Sequence, residues 1–460
     1  MKPVLARLLR EGKLQCPGCL SRNLADSASG IACSSCDRLW PVRHGAADFV
    51  AQYEAADRPL GIPTENSKDF CKHLLKRLSL PDECGPAVAD VLARAAELAC
   101  TDPSLTAEIQ DLMDRFGFVP AAPAESPPLG SGERGEGFRA QDARNTSRLT
   151  VEFVRHYLPS SWAPDTHTTV NVRLKNAGDV TWVSTGDTPL YLSYHWVDPT
   201  SGKVFAEGLR TRFPVPIEPG RALTLPLRVL TPTERGTYIL RVRLVHEYVR
   251  WVEPSLDLRI AVINEAGRDL PEIPRFPEQA SYGEDHQVGV RMIAEHIGRL
   301  HPSRQLILEV GSGTQPHTAW LDNADVIALD ISAPLCELGS MFFEARSRQN
   351  VCFVCADAMR VPFAQGSFDS VVMFSALHHF PEPDRLLAYL KRYIKPGGFL
   401  ALGCEPVGDN IEGVDTVRDL QKGINEQVFS ESEYFAMFRS AQLEVISVRR
   451  DGGSIKAILR

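Results

Sequence analysis

Four cysteines near the start of the chain have metal-ligand spacing. Cys16-Pro-Gly-Cys19 and Cys33-Ser-Ser-Cys36 are two Cys-x-x-Cys pairs with 13 residues between them. Each pair sets two thiolates on one tight turn, and two such turns can close a tetrahedron around Zn²⁺ with no open position. A site of that kind is structural, because no substrate water can reach the ion. Four free or redox-active thiols are the alternative. Cys352 and Cys355 share the spacing but lie in the apolar run Val351-Cys-Phe-Val-Cys, which predicts a strand and makes them core thiols.

A second set of residues lies at the ends of apolar runs in the last part of the chain. Leu306-Ile-Leu-Glu-Val leads into Gly311 and Gly313, where the backbone can pass close to a ligand that a Cβ would obstruct. A lone Gly-x-Gly is a weak signal. Asp330, 19 residues after Gly311, ends the run Val326-Ile-Ala-Leu, where a Rossmann-type sheet hydrogen-bonds a ribose diol. Asp357 ends a third run. His378 and His379 follow a fourth, in Phe374-Ser-Ala-Leu-His-His-Phe, and an imidazole there could take the proton of a hydroxyl. Glu405, Asn425 and Glu426 follow a fifth run, Phe399-Leu-Ala-Leu-Gly-Cys. The plainer alternatives are turn-forming aspartates, packing histidines and a solvated loop.

The order of these runs, closed by Leu443-Glu-Val-Ile-Ser-Val, Asp451-Gly-Gly and Ser454-Ile-Lys-Ala-Ile-Leu, resembles the UbiE-like class I S-adenosylmethionine methyltransferases across 281–460. The resemblance implies a Rossmann-like α/β sheet of seven strands and S-adenosylmethionine as cofactor. Glu309 would then face the methionine ammonium, and Gly311 and Gly313 would line the methionine and ribose. Asp330 would hold the ribose hydroxyls, and Asp357 would accept from the adenine N6, with the Ala358 amide near the ring. His378 and His379 would be the catalytic candidates, and Glu405, Asn425 and Glu426 would line the acceptor. One departure is Gln315, which stands where the family often has a third glycine. The cysteine segment, with Leu39-Trp40-Pro41, Gly45 and Asp48-Phe49-Val50, resembles the short zinc ribbon attached to several bacterial methyltransferases.

These residues need elements to position them, and 460 residues exceed one hydrophobic core. Composition divides the chain into a zinc ribbon over 1–56, a helical segment over 67–118, a Pro/Gly/Ser-rich linker over 119–144, a β-sandwich over 147–264 and the α/β domain over 281–460. The sandwich follows from period-two runs such as Thr168-Thr-Val-Asn-Val-Arg-Leu and Tyr238-Ile-Leu-Arg-Val-Arg-Leu-Val, separated by turn residues. In this sandwich, Val172-Arg-Leu-Lys-Asn-Ala-Gly-Asp-Val-Thr-Trp182, Tyr194-His-Trp196 and Val245-His-Glu-Tyr-Val-Arg-Trp251 resemble Ig-like accessory domains of bacterial glycan-modifying and glycan-assembling proteins. Trp182, Trp196 and Trp251 would either stack on sugars or fill its core.

A net charge of −8 without a long basic run argues against nucleic acid as partner. No apolar stretch reaches the roughly 20 residues of a membrane span, and the reading is cytoplasmic. The expected acceptor is a saccharide or related small molecule in surface-glycan synthesis. RNA base methylation and a non-catalytic glycan-binding scaffold are the alternatives.

Overall fold

The computed structural model describes residues 2–50, 149–156, 161–263, 282–300, 303–321, 323–345, 347–408, 426–451 and 453–460. The helical segment 67–118, the linker 119–144, residues 51–56 of the ribbon and Asn425 lie outside these residues.

The chain opens with helix α1 (Pro3–Arg10) and strands β1 (Leu24–Ser27), β2 (Gly30–Cys33), β3 (Leu39–Arg43) and β4 (Ala46–Asp48). A proline at the start of α1 suits a helix N-terminus, whose first amide has no intrahelical partner. Val4, Leu5 and Leu8 form its buried face.

Eight strands follow: β5 (Val151–His156), β6 (Ser161–Trp162), β7 (His167–Asn176), β8 (Leu190–Val197), β9 (Val204–Glu207), β10 (Ala222–Leu230), β11 (Gly236–His246) and β12 (Arg250–Val262). They form a three-stranded sheet, β10-β7-β5, and a five-stranded sheet, β6-β12-β11-β8-β9. Val172, Leu174, Leu225 and Leu227 of the first sheet share one core with Leu192, Leu240 and Val242 of the second. Pro226 interrupts β10 without loss because β10 is an edge strand, whose outer amides have no ladder partner. Trp182 and Trp196 are buried in this core, and the indole of Trp196 donates to the Leu230 carbonyl. Trp251 packs against His195 and under the guanidinium of Arg210.

The last part alternates strand and helix: α2 (Tyr282–Leu300), β13 (Gln305–Val310), β14 (Ala324–Asp330), α3 (Ala333–Ala345), β15 (Val351–Cys355), β16 (Phe368–Met373), α4 (Pro383–Lys391), β17 (Ile394–Pro406), α5 (Glu431–Ser440), β18 (Val445–Asp451) and β19 (Ser454–Leu459). Strands β13 to β17 are parallel, and β19 runs antiparallel to both β17 and β18. All six residues of β13 and all five of β15 are buried. Such continuous apolar strands belong to a parallel sheet covered on both faces. Cys352 and Cys355 are thus both core thiols, and burial raises the Cys352 thiol to about 12.

The sheet does not stop at seven strands. β4 pairs in parallel with β15, in the register Val354 to Ala47 and Cys355 to Asp48, and β3, β2 and β1 follow outward. The result is one sheet of eleven strands in the order β1-β2-β3-β4-β15-β14-β13-β16-β17-β19-β18. Trp40, Phe49 and Leu8 pack in the same core as Phe353 and Phe363. Arg7 reaches Asp325 at 2.9 Å across this junction.

Candidate functional site

The strand tips of the parallel sheet meet at the glycine turn. Gly311 and Gly313 have φ of +70° and +53°, a left-handed conformation that glycine adopts without a side-chain clash. A Cβ on Gly311 would stand 2.7 Å from the Cβ of Ala376, so the turn and the loop after β16 touch directly. Gln315 is not left-handed, and its amide donates to the Ser312 carbonyl. The turn therefore closes at that position without a third glycine.

Asp330 ties the second strand to this turn. Its Oδ2 accepts from the Gly313 amide at 2.9 Å and its Oδ1 from the Ser332 amide at 2.9 Å. Asp357 accepts from the Met359 amide at 2.8 Å, and burial raises its carboxyl above the ordinary range. Ala358 beside it is buried.

Glu309 is expected to face a ligand's ammonium, but it is only 1% exposed. Its Oε1 accepts from the His317 amide at 2.7 Å, and its Oε2 from the Thr318 amide and hydroxyl at 2.9 and 2.6 Å. Its carboxylate organises the turn from within. The sequence reading missed the ring stack that adjoins it. His286 of α2 lies over His317 at 4.6 Å, and His317 over Phe374 at 4.4 Å, both with interplanar angles of 22°. Only the tertiary fold brings these rings together, so no local motif announces them.

The loop after β16 carries the acceptor-side candidates. Nδ1 of His378 lies 2.8 Å from Oε2 of Glu405. Glu405, expected to contact the acceptor, is fully buried instead. Its Oε1 accepts from the amides of Ala376 and Leu377 at 2.9 and 3.0 Å, and its Oε2 also from that of His378. Burial drives the Glu405 carboxyl upward, but the His378 imidazole and these amides outweigh it and hold the group below its ordinary value. An ionised carboxylate only accepts, so Nδ1 of His378 is the donor and Nε2 is left on the side of Glu426. That Nε2 lies 3.4 Å from Oε2 of Glu426, and Nδ1 of His379 lies 3.5 Å from its Oε1.

Glu426 is held from the two-sheet region. The side-chain amide of Asn171, on β7, donates to the Glu426 carbonyl. Nearby, Arg221 makes a two-pronged ion pair with Asp384 of α4 at 2.8 and 2.9 Å, and Arg173 lies over the Phe429 ring at 5.6 Å. Asn171 was not legible as a site residue, because it sits in an ordinary period-two strand far from Glu426 in sequence.

The four cysteines of the N-terminal segment converge. Sγ of Cys16 lies 3.6 Å from that of Cys36, and Sγ of Cys19 lies 3.6 Å from that of Cys33. A disulfide would need about 2.05 Å. Zn–S bonds of about 2.3 Å at tetrahedral angles give sulfur separations of about 3.8 Å. The four thiols therefore fit Zn²⁺.

Residues 308–402 match the family described as a methyltransferase domain. A demethylmenaquinone methyltransferase of Renibacterium salmoninarum is 33% identical over 112 residues, covering 24% of this chain and 45% of its own length. A 27-O-demethylrifamycin SV methyltransferase of Amycolatopsis mediterranei is 32% identical over 147 residues, covering 30% of this chain and 53% of its own. A tRNA (carboxymethyluridine(34)-5-O)-methyltransferase of Macaca fascicularis is 26% identical over 188 residues, covering 37% and 27%. The chain spans about half the length of the first two relatives. It carries a methyltransferase domain.

Proposed function

We propose that the chain is an S-adenosylmethionine-dependent methyltransferase acting on a hydroxyl of a saccharide or related small molecule, in bacterial surface-glycan synthesis. The observation that carries this reading is the contact of the glycine turn with the His378 loop, through Gly311 and Ala376. On this reading the contact would set a cofactor cradle beside an imidazole that Glu405 orients. Gly311, Gly313, Asp330, Asp357 and Ala358 would hold the cofactor, with Glu309 shaping the turn from behind. When bound, S-adenosylmethionine supplies an electrophilic methyl group on a sulfonium.

The protein's part is to align a nucleophile, exclude water and remove a proton. An acceptor oxygen lone pair forms the new bond to carbon as the carbon–sulfur bond breaks, its electron pair passing to sulfur. The hydroxyl proton leaves toward the cluster of His378, His379 and Glu426, with Glu405 fixing the His378 ring. Asn425 belongs to the same proposed acceptor lining. The two-sheet region supports a saccharide acceptor through a groove of about 650 Å³, where Phe205 and Tyr238 lie near the carboxylates of Asp198, Glu207 and Glu234. Aromatic faces beside carboxylates suit sugar rings and their hydroxyls. Cys16, Cys19, Cys33 and Cys36 would hold a structural zinc that shapes the N-terminal strands. No described helix is long and apolar enough to cross a membrane.

Calorimetric titration of S-adenosylmethionine into the wild type and Asp330→Ala tests the reading. Micromolar binding that weakens strongly in the variant supports it. No binding to folded, zinc-loaded wild type overturns it and leaves a binding scaffold as the better account.

A further inference from the structure

We propose that His378, His379 and Glu426 bind a divalent transition-metal ion on the acceptor side of the site. The inference rests on the methyltransferase reading for its use, but its geometry stands alone. The ligand atoms of these three side chains lie within 4.8 Å of one another. The two imidazole–carboxylate separations, 3.4 and 3.5 Å, exceed the usual 2.7–3.2 Å of a nitrogen–oxygen hydrogen bond. His378 faces Oε2 and His379 faces Oε1 of the same Glu426 carboxylate, and each separation is one that two bonds of about 2.1 Å to a shared ion can span.

The surroundings are those of a ligand set. A metal-binding histidine usually donates its other ring N–H to a carboxylate, which fixes the tautomer and the ring plane. Glu405 stands in that relation to His378, at 2.8 Å and fully buried. Asn171 anchors the third ligand at its backbone, its side-chain amide donating to the Glu426 carbonyl. Two imidazoles and one carboxylate select zinc, manganese or ferrous iron over calcium or magnesium, which prefer all-oxygen sites. Three protein ligands also leave coordination positions open, as catalytic sites do and the four-cysteine site does not.

An acceptor hydroxyl bound to that ion loses its proton more readily, as metal-bound water does. With the lone pairs of His378, His379 and Glu426 taken up by the ion, the proton passes to solvent and not to an imidazole; the oxygen pair forms the bond to the methyl carbon, and the carbon–sulfur pair goes to sulfur. Neighbouring hydroxyls on the acceptor would suit the open positions, which is the pattern a sugar diol presents.

The test uses the full chain stripped of metal and given one equivalent of Zn²⁺, which the four thiolates take ahead of a nitrogen–oxygen site, followed by addition of Co²⁺. We expect one Co²⁺ per chain, with the visible bands of a nitrogen–oxygen site and no thiolate charge-transfer band. Glu426→Gln and His379→Asn should each weaken this binding at least 10-fold, with S-adenosylmethionine affinity within about twofold of wild type. No Co²⁺ bands in the folded, zinc-loaded wild type would overturn the site, as would bands unchanged in both variants. Calorimetry with S-adenosylmethionine on the same samples separates the two ideas. Co²⁺ binding without cofactor binding supports the metal site and sinks the methyl-donor reading; the reverse result does the opposite.

Discussion

His378 and Glu405 form a buried pair, Nδ1 to Oε2 at 2.8 Å, in which the carboxylate also gathers three backbone amides of residues 376–378. Removing its charge changes both the ring's tautomer and the loop's shape. Glu405→Gln should lower methyl transfer by about 100-fold, within the usual range for a positioned acid–base group. Single-turnover rates against pH, beside the cofactor affinity, check this. A merely structural role would move cofactor affinity and rate together and leave the pH profile unchanged.

Asp330 accepts from the Gly313 amide, so it shapes the glycine turn whatever it does toward a ribose. Asp330→Asn keeps an acceptor oxygen, while Asp330→Ala keeps none. We expect S-adenosylmethionine affinity to fall about 10-fold in the first and about 100-fold in the second, each factor of ten being about 1.4 kcal/mol. Calorimetry on both variants reads this order directly.

The Asp357 carboxyl is raised by burial, so its protonation begins at higher pH than for an exposed aspartate. Ionised, it is the better acceptor for an exocyclic amine. Cofactor affinity should therefore weaken as pH falls toward the raised value, starting above the ordinary aspartate range. Asp357→Asn should flatten that dependence. Titrations between pH 5 and 8 on both proteins test it, and the same slope in the variant would assign the effect elsewhere.

The two-sheet region grips the loop that carries Glu426 through Asn171. Asn171→Ala should raise the acceptor KM several-fold and leave S-adenosylmethionine affinity unchanged, because the contact is on the acceptor side alone. Initial-rate kinetics with varied acceptor give the answer.

Zinc removal should act at a distance. The cysteine strands continue the sheet through β4 and β15, so stripping a zinc held by the four thiolates would loosen an edge of the sheet that carries the glycine turn. A structural zinc contributes on the order of 10 kcal/mol to a small module. Chelation should lower the melting temperature of the whole eleven-stranded unit, and calorimetric scans with and without chelator would show it.

The strand ends were legible because a parallel sheet writes itself as continuous apolar runs. Gly311 and Asp330 stand at such strand ends, and His378 stands in the loop after one. Glu405 looked like an acceptor contact because sequence does not distinguish a carboxylate facing a cavity from one collecting buried amides. The extra strands β1 to β4 were read as a separate ribbon, since Val42 to Asp48 is too short to announce a partner some three hundred residues away. The ring stack of His286, His317 and Phe374 was invisible for the same reason: each ring belongs to a different element.

That distant pairing bears on how the chain is made. Ribosomes add about 5–20 residues per second, so β4 emerges tens of seconds before β15, roughly three hundred residues later. In the interval the nascent cysteine segment has an open edge that invites other strands. Zinc captured early would keep that segment in shape until its proper neighbour arrives. A shortage of the metal during synthesis would then be felt as misassembly of newborn chains, even where finished molecules survive its removal.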